Sequence, residues 1–148
     1  DAGKGLIISA NKWDLVTKDT MTMKRHETLI FDELPDKINY PIIFTSALTG
    51  KRVPKIIDVA IEIDERRKYR IQTSELNSFI ENLPITPGTS NLTIFYATQY
   101  DITPPSFIFF VNDIRKVKGN FIRFLEKQLR KEFDFEGTPI RLSFKRRG

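Results

Sequence analysis

The chain has 148 residues, of which 40% are hydrophobic and 29% charged, and its net charge is +5. This apolar content can bury a core, so general disorder is excluded. With no cysteine, disulfides, cysteine-based zinc sites and thiol catalysis are also excluded, and a Ser-His-Asp triad would have to use the single histidine, His26. No run approaches the roughly 18 apolar residues of a membrane span, and no signal-peptide pattern opens the chain. We therefore expect a soluble, cytoplasmic protein of mixed α and β structure with no membrane contact.

The first half of the chain alternates apolar strands with amphipathic helices. Residues 6–10 and 41–45 are short, almost wholly apolar runs, which are typical of strands covered on both faces in a parallel sheet. Helical spacing follows each of them, from about Met21 to a stop at Pro35 and from Val53 toward Tyr69. The positions predicted to face the sheet are Met23, Ile30, Leu34, Val53, Ile56, Ile57, Ala60 and Ile61. Strand, helix, strand, helix is half of a doubly wound α/β domain.

From about residue 70 the pattern predicts a small α+β sandwich with the order αββαβ. Thr73 or Ser74 is expected to cap a first helix, and Pro84, Pro87 and Gly88 mark the loop after it. Aromatic-rich strands at 92–98 and 106–112 flank a turn containing Pro104-Pro105, a second helix runs from Asn120 to Phe133, and a last strand covers 140–145. The residues predicted to face the core are Leu76, Phe79, Ile80, Leu83, Phe107, Phe109, Phe110, Phe121, Phe124, Leu125, Leu129, Ile140, Leu142 and Phe144.

Positive charge is concentrated in the second half of the chain. Residues 70–148 hold 12 basic and 8 acidic side chains, whereas residues 1–69 hold 12 and 11. Two groups of basic residues stand out: Arg123, Lys127 and Arg130 on one arc of the second helix, and the tail Lys145, Arg146 and Arg147. They form either a surface that contacts RNA phosphates or one that only solubilises the domain. His26 and the acidic residues Glu126, Glu132, Asp134 and Glu136 are expected to face solvent.

The clearest local motif is Asn11-Lys12-Trp13-Asp14, directly after the first strand. Ligands of open α/β sheets bind beyond the carboxyl ends of the strands, so a base-binding loop belongs at this position. A carboxylate can accept hydrogen bonds from N1–H and the 2-amino group of guanine together, which adenine cannot donate. The Lys12 methylenes can lie over the base, and the Asn11 amide can hold the ring edge and a neighbouring loop. The alternative is an ordinary polar turn.

Ser46-Ala47-Leu48 follows the second strand in the corresponding position. The backbone N–H of Ala47 would suit the guanine O6. The tripeptide alone is a weak signal, and its value lies in its place at the same end of the same sheet.

These residues resemble a known family. Asn11-Lys12-Trp13-Asp14 and Ser46-Ala47-Leu48 resemble the fourth and fifth guanine-nucleotide motifs of Ras-like GTPases. The similarity extends to the second GTPase domain and the KH-like domain of the EngA family, also called Der. The strings that match it elsewhere are Lys4-Gly5, Ser46-Ala47-Leu48-Thr49-Gly50, Tyr96-Ala97-Thr98-Gln99, Pro104-Pro105-Ser106-Phe107, Phe110-Val111-Asn112 and Phe135-Glu136-Gly137-Thr138-Pro139-Ile140-Arg141.

The resemblance implies two domains: the α/β C-terminal half of a Ras-like P-loop GTPase domain in residues 1–69, and an α+β KH-like domain in residues 70–148. It implies a bacterial double GTPase that acts in ribosome biogenesis, at assembly of the large subunit, and binds GTP or GDP with Mg²⁺. The implied partners are the large ribosomal subunit or its precursor, with its rRNA and ribosomal proteins, and upstream GTPase domains of the same protein. The implied guanine-binding residues are Asn11, Lys12, Asp14, Ser46, Ala47 and Leu48.

Neither a G-x-x-x-x-G-K-[ST] phosphate loop nor a D-x-x-G switch precedes Asn11, where the family has both. The chain then resembles a C-terminal fragment with no catalytic or metal-binding residue, and we expect it to be inactive alone. An alternative hypothesis is a non-catalytic RNA- or protein-binding module with a vestigial guanine loop. The glycines, at positions 3, 5, 50, 88, 119, 137 and 148, also provide no G-x-x-G clamp of the kind standard KH domains use on RNA.

Overall fold

The structure, a computed structural model, describes residues 3–17, 19, 21–34, 40–84 and 91–148. The elements in chain order are β1 (Ile8–Ala10), α1 (Thr22–Glu33), β2 (Ile42–Phe44), α2 (Val53–Lys68), α3 (Thr73–Glu81), β3 (Ile94–Ile102), β4 (Pro105–Val111), α4 (Gly119–Glu132) and β5 (Arg141–Arg146). This order confirms the α/β part followed by an αββαβ unit. Pro35, Pro87 and Gly88, predicted to end a helix and to mark a loop, lie outside the described residues.

The first half contains a parallel two-stranded sheet. Ile8 of β1 is paired with Ile42 of β2, and Ala10 with Phe44. The two predicted strands therefore form and are neighbours, with α1 after the first and α2 after the second. The expectation that both strands are covered on both faces is wrong for β1, where Ser9 is exposed. Within the described residues β1 has a neighbouring strand on one side only.

The predicted inner faces of α1 and α2 are partly wrong. Met23 is exposed, and on α2 the side chains of Ile57 and Ile61 are 64% and 58% exposed. The buried residue of α2 is Ile63, at 3% exposure. Val53 and Ala60 are exposed too, whereas Ile30, Leu34 and Ile56 are half-buried. Helical spacing identified an apolar stripe, but Ile63 is buried because the chain segments around Gly5 and Gly137 pack against it.

The second half is a three-stranded sheet with two helices that share its core. The strand order is β3-β4-β5, with β3 antiparallel and β5 parallel to β4. The core consists of Ile71, Leu76, Ala97, Phe107, Phe109, Phe121, Leu125, Leu129, Phe133 and Phe135, with Phe79, Ile80, Leu83, Phe124, Ile140, Leu142 and Phe144 packed against it. The apolar positions predicted for both helices and for the last strand are thus confirmed.

Three local predictions in this half differ from the structure. The N-cap of α3 is Gln72, so Thr73 begins the helix instead of capping it. β3 continues to Ile102, because its pairing with β4 extends as far as Pro105. Phe110 does not belong to the core: it is half-buried and its ring stacks on Tyr96, with centroids 4.3 Å apart.

The two halves meet at a junction centred on α2. The backbone N–H of Leu6 donates to the carbonyl of Gly137 at 3.0 Å. Arg66 Nε donates to Asp134 Oδ2 at 2.7 Å, and its Nη1 lies 3.6 Å from Glu136 Oε2. An added Cβ would lie 2.4 Å from Ile63 at Gly5 and 2.7 Å from it at Gly137. The absence of side chains at both glycines therefore permits the close packing of the junction on Ile63.

Candidate functional site

The candidate site is formed by the two loops that leave the carboxyl ends of β1 and β2. Thr45 donates its N–H to the carbonyl of Ala10 at 2.9 Å, and Trp13 donates its own to the carbonyl of Thr45, also at 2.9 Å. The side-chain oxygens of Ser9 and Thr45 are 3.0 Å apart. These bonds continue the β1–β2 pairing beyond the strands and hold the two loops side by side.

Trp13 fixes the first loop to the body of the protein. Its side chain is buried, packs on Phe44 at a ring-centroid distance of 4.3 Å, and meets the edge of His26 at 5.3 Å. Lys12 before it adopts a left-handed conformation with φ 61°. The chain therefore turns sharply at Lys12, which leaves Lys12 and Asp14 exposed on either side of the buried indole.

Hydrogen bonds between the loops join the predicted polar residues. Asn11 Oδ1 accepts from the backbone N–H of Ala47 at 3.0 Å. Ser46 Oγ donates to Asp14 Oδ1 at 2.5 Å and accepts from the N–H of Thr49 at 3.3 Å. The structure thus brings together Asn11, Asp14, Ser46 and Ala47.

Lys12 and Leu48 complete the predicted set but are not part of this hydrogen-bonded group. Both are exposed, Leu48 at 86%. The Ala47 N–H, which the sequence analysis assigned to the guanine O6, donates to Asn11 in this structure. A bound O6 would therefore share that donor with Asn11 or displace it.

The predicted basic surface is divided by the structure. Arg123 and Lys127 are exposed on α4, but the Arg130 side chain is only 16% exposed. Arg130 donates to the carbonyl of Phe135 at 2.8 Å and to Glu126 at 3.1 Å. Arg130 thus holds the turn after α4. The prediction that it shares an open basic surface with Arg123 and Lys127 is therefore corrected.

The basic tail is exposed, and Arg147 also makes two local contacts. Lys145, Arg146 and Arg147 are all exposed at the end of β5. The Arg147 guanidinium lies 4.8 Å from the centre of the Phe95 ring, and its backbone N–H donates to the carbonyl of Val111.

Within the described ranges, no group of three or more His, Asp or Glu side chains is placed to hold a metal ion. No helix in those ranges is both long and apolar enough to cross a bilayer.

Comparisons with known proteins are consistent along the chain. Residues 70–145 match the sequence model described as the KH-domain-like, C-terminal region of EngA bacterial GTPase enzymes. The chain is 45% identical over 152 residues to GTPase Der of Lactobacillus johnsonii, covering 99% of this chain and 35% of the relative. Identity to GTPase Der of Desulfitobacterium hafniense is 42% over 147 residues, covering 96% and 33%. The chain belongs to the EngA family of bacterial GTPases. It spans about a third of the length of these EngA relatives.

The contacts between α2 and the turn after α4 are not foreshadowed in the sequence. Asp134 is exposed as predicted and Glu136 is half-buried, and both also pair with Arg66. Nothing local marks this partnership, since 68 residues separate Arg66 from Asp134. Asp134 to Gly137 also reads D-x-x-G, but it lies in the turn after α4, away from the loops around Asn11. His26 is exposed as predicted, and its ring also contacts Trp13 and bonds through Nδ1 to the Thr22 carbonyl.

Proposed function

We propose that this chain provides guanine recognition and a KH-like domain to a GTP-hydrolysing protein of the cytoplasm that acts in assembly of the large ribosomal subunit. The observation that supports it most is the hydrogen-bonded pair of loops, in which Ser46 holds Asp14 and Asn11 holds the Ala47 N–H. An ordinary polar turn has no need of these two cross-loop bonds.

The geometry suits a purine with two adjacent donors. The Ser46 hydroxyl restrains the exposed Asp14 carboxylate by a hydrogen bond, so the carboxylate is oriented before the base binds. The Asp14 side chain therefore loses less conformational entropy on binding. N1–H and the 2-amino group of guanine both donate to this carboxylate, whereas adenine has an acceptor at N1. The exposed Lys12 stem provides an apolar surface beside it.

In the EngA family the phosphates and Mg²⁺ of GTP are bound by the phosphate loop and the D-x-x-G switch, which the resemblance places before Asn11. Without a phosphate loop and a water-positioning switch, guanine contacts alone stabilise no transition-state charge. The chain by itself is therefore expected to bind the base and to release no phosphate from GTP.

The exposed basic residues support contact with the ribosome precursor. Arg123 and Lys127 of α4 and the tail 145–147 offer cations that neutralise rRNA phosphates and release counterions. Upstream GTPase domains of the same protein are the second partner that we propose.

The base preference of the chain tests the guanine assignment. Amide shifts around Ala47 on titration with GMP and AMP should show preference for GMP. Asp14→Asn should reduce the GMP affinity by about tenfold or more and favour XMP, because the amide donates to the 2-oxo group. Asp58→Asn, on an exposed carboxylate of α2, is the matched control and should change neither. An unaltered preference in Asp14→Asn would reject Asp14 as the base-reading residue and favour a module with a vestigial loop.

A further inference from the structure

An aromatic pair lies on the sheet of the second half, outside its core. Tyr96 on β3 is paired with Phe110 on β4, and Phe110 with Lys145 on β5, so the three side chains form one row across the sheet. The two rings stack with an interplanar angle of 18° and centroids 4.3 Å apart. We call the row Tyr96–Phe110–Lys145 and the next row Thr98–Ile108–Ser143 the outer sheet face.

This face is opposite the one that packs on the helices. Ala97, Phe109 and Phe144 are the sequence neighbours of the three residues in the row, and they pack in the core. Because successive side chains of a strand point to opposite sides, the row itself points away from α3 and α4. Tyr96 is 41% exposed, so part of its ring remains accessible beside Phe110.

The charge on and around the outer sheet face is positive. Its two rows contain no acidic residue, and Lys145 is exposed. In the row beyond Ser143, Arg141 is exposed opposite Ser106. The acidic residue of that row, Asp101, uses its Oδ1 to accept from the backbone N–H groups of the turn, at 2.7 Å from Ile102 N.

We propose that the outer sheet face binds single-stranded RNA, with bases stacked on the Tyr96–Phe110 pair and phosphates neutralised by Lys145 and Arg141. The proposal rests on the RNA contact within the proposed function and adds a second surface to it, distinct from α4. Aromatic faces beside cations suit a polyanion with planar bases. The Thr98 and Ser143 hydroxyls add donors and acceptors for base edges or the ribose 2′-OH.

The dimensions of the face fit a short stretch of RNA. Three strands about 4.8 Å apart give a width of about 10 Å, and the two rows of the face are about 7 Å apart along the strands. Arg141 lies one row further, beside the buried Ser106. The four-stranded sheet of RRM domains stacks two or three bases on its aromatic residues, and the smaller face here has one aromatic pair. Since stacking reads the planar face of a base, sequence preference should be weak.

Binding of a ten-nucleotide single-stranded RNA that contains 2-aminopurine tests the proposal on the whole chain. Stacking quenches 2-aminopurine, so the signal reports base contact separately from charge. Tyr96→Leu should weaken binding by roughly 5- to 150-fold, the range for loss of one stacked base, and abolish the quenching. Tyr96→Phe keeps the ring and should retain both affinity and quenching, which separates stacking from damage to the fold.

Tyr69→Leu is the matched control, because Tyr69 is 43% exposed but lies after α2, away from the outer sheet face. Its affinity and quenching should equal those of the unmodified chain. Lys145→Ala should reduce the salt dependence by about one phosphate contact while quenching at saturation persists.

The outcomes separate this proposal from the broader one. If the unmodified chain binds neither this RNA nor a duplex of the same length, this proposal and RNA binding by this chain within the proposed function both fail. If it binds only the duplex, the outer sheet face alone is rejected. If the chain binds single-stranded RNA with the same affinity and quenching in Tyr96→Leu, and the double variant Arg123→Ala/Lys127→Ala binds more weakly, only the proposal for the outer sheet face is rejected. Equal binding of a duplex of the same length, with no quenching, also rejects stacking at Tyr96.

Discussion

Replacing Gly137 with alanine tests the junction between the two halves. Gly137 has φ +69°, which is left-handed, and a Cβ there would lie 2.7 Å from Ile63 Cδ1 and 3.1 Å from Pro41 Cδ. Two separate costs are therefore expected in Gly137→Ala. The left-handed backbone costs about 1–2 kcal/mol for a residue with a Cβ. Overpacking against a buried isoleucine adds about 1–3 kcal/mol, for a total loss of about 2–5 kcal/mol in the free energy of unfolding.

Two other glycines separate these costs. Gly50 has φ +71° but nothing within 4 Å of its Cβ position, so Gly50→Ala should lose only the backbone part, about 1–2 kcal/mol. Gly119 begins α4 with open space around it, so Gly119→Ala should be neutral or stabilising by up to about 1 kcal/mol.

The assay is urea unfolding of the three variants, together with amide exchange of Leu6. Because the Leu6 N–H donates to the Gly137 carbonyl, exchange at Leu6 should accelerate in Gly137→Ala and remain slow in the two controls. If Gly137→Ala loses no more stability than Gly50→Ala and Leu6 exchanges at its original rate, the close approach of Ile63 to Gly137 does not exist and the junction described above is wrong.

Two further predictions concern acid titration and association. The side chain of Arg115 donates hydrogen bonds to Asp113, and together with the Arg115 backbone N–H and positive charge it lowers the pKa of Asp113 from 3.8 to about 2. The stability due to this pair is therefore present above about pH 4 and is lost as the pH falls toward 2. A carboxyl NMR titration should show this, and Arg115→Gln should raise the pKa toward 3.8. The edge of β1 opposite β2 has no strand among the described residues, so we expect either concentration-dependent self-association, measured by light scattering, or coverage of this edge by another piece of chain. A monomer at every concentration, with fast amide exchange along β1, would contradict both.

The sequence predicted the elements well where a local period determines them. In α4 the buried side chains of Phe121, Leu125 and Leu129 recur at helical spacing, so the helix and its inner face follow from the residues alone. The apolar runs at 6–10 and 41–45 likewise predicted β1 and β2 as strands, although the burial on both faces that such a run indicates is wrong at Ser9.

The features that the sequence did not predict depend on contacts between residues that are distant in the chain. The run from Phe107 to Val111 is apolar on both faces, so alternation alone could not show that Phe110 points away from the core. Ile63 is buried by residues near both ends of the sequence, and the spacing within α2 contains no information about them. At the candidate site the motif identified the residues, but only the structure shows that Asn11 occupies the Ala47 N–H.

The bond from Leu6 to Gly137 has a mechanical consequence for the guanine loops. From Leu6 the chain continues through Ile7 and the three residues of β1 to Asn11, a path of about 17 Å if fully extended. A displacement of the turn at Gly137 would act on one end of this strand, and a purine held at Asn11 and Asp14 would restrain the other. A fluorescent label on the second half would therefore be expected to report changes at the base-binding end through a single strand instead of a flexible tether.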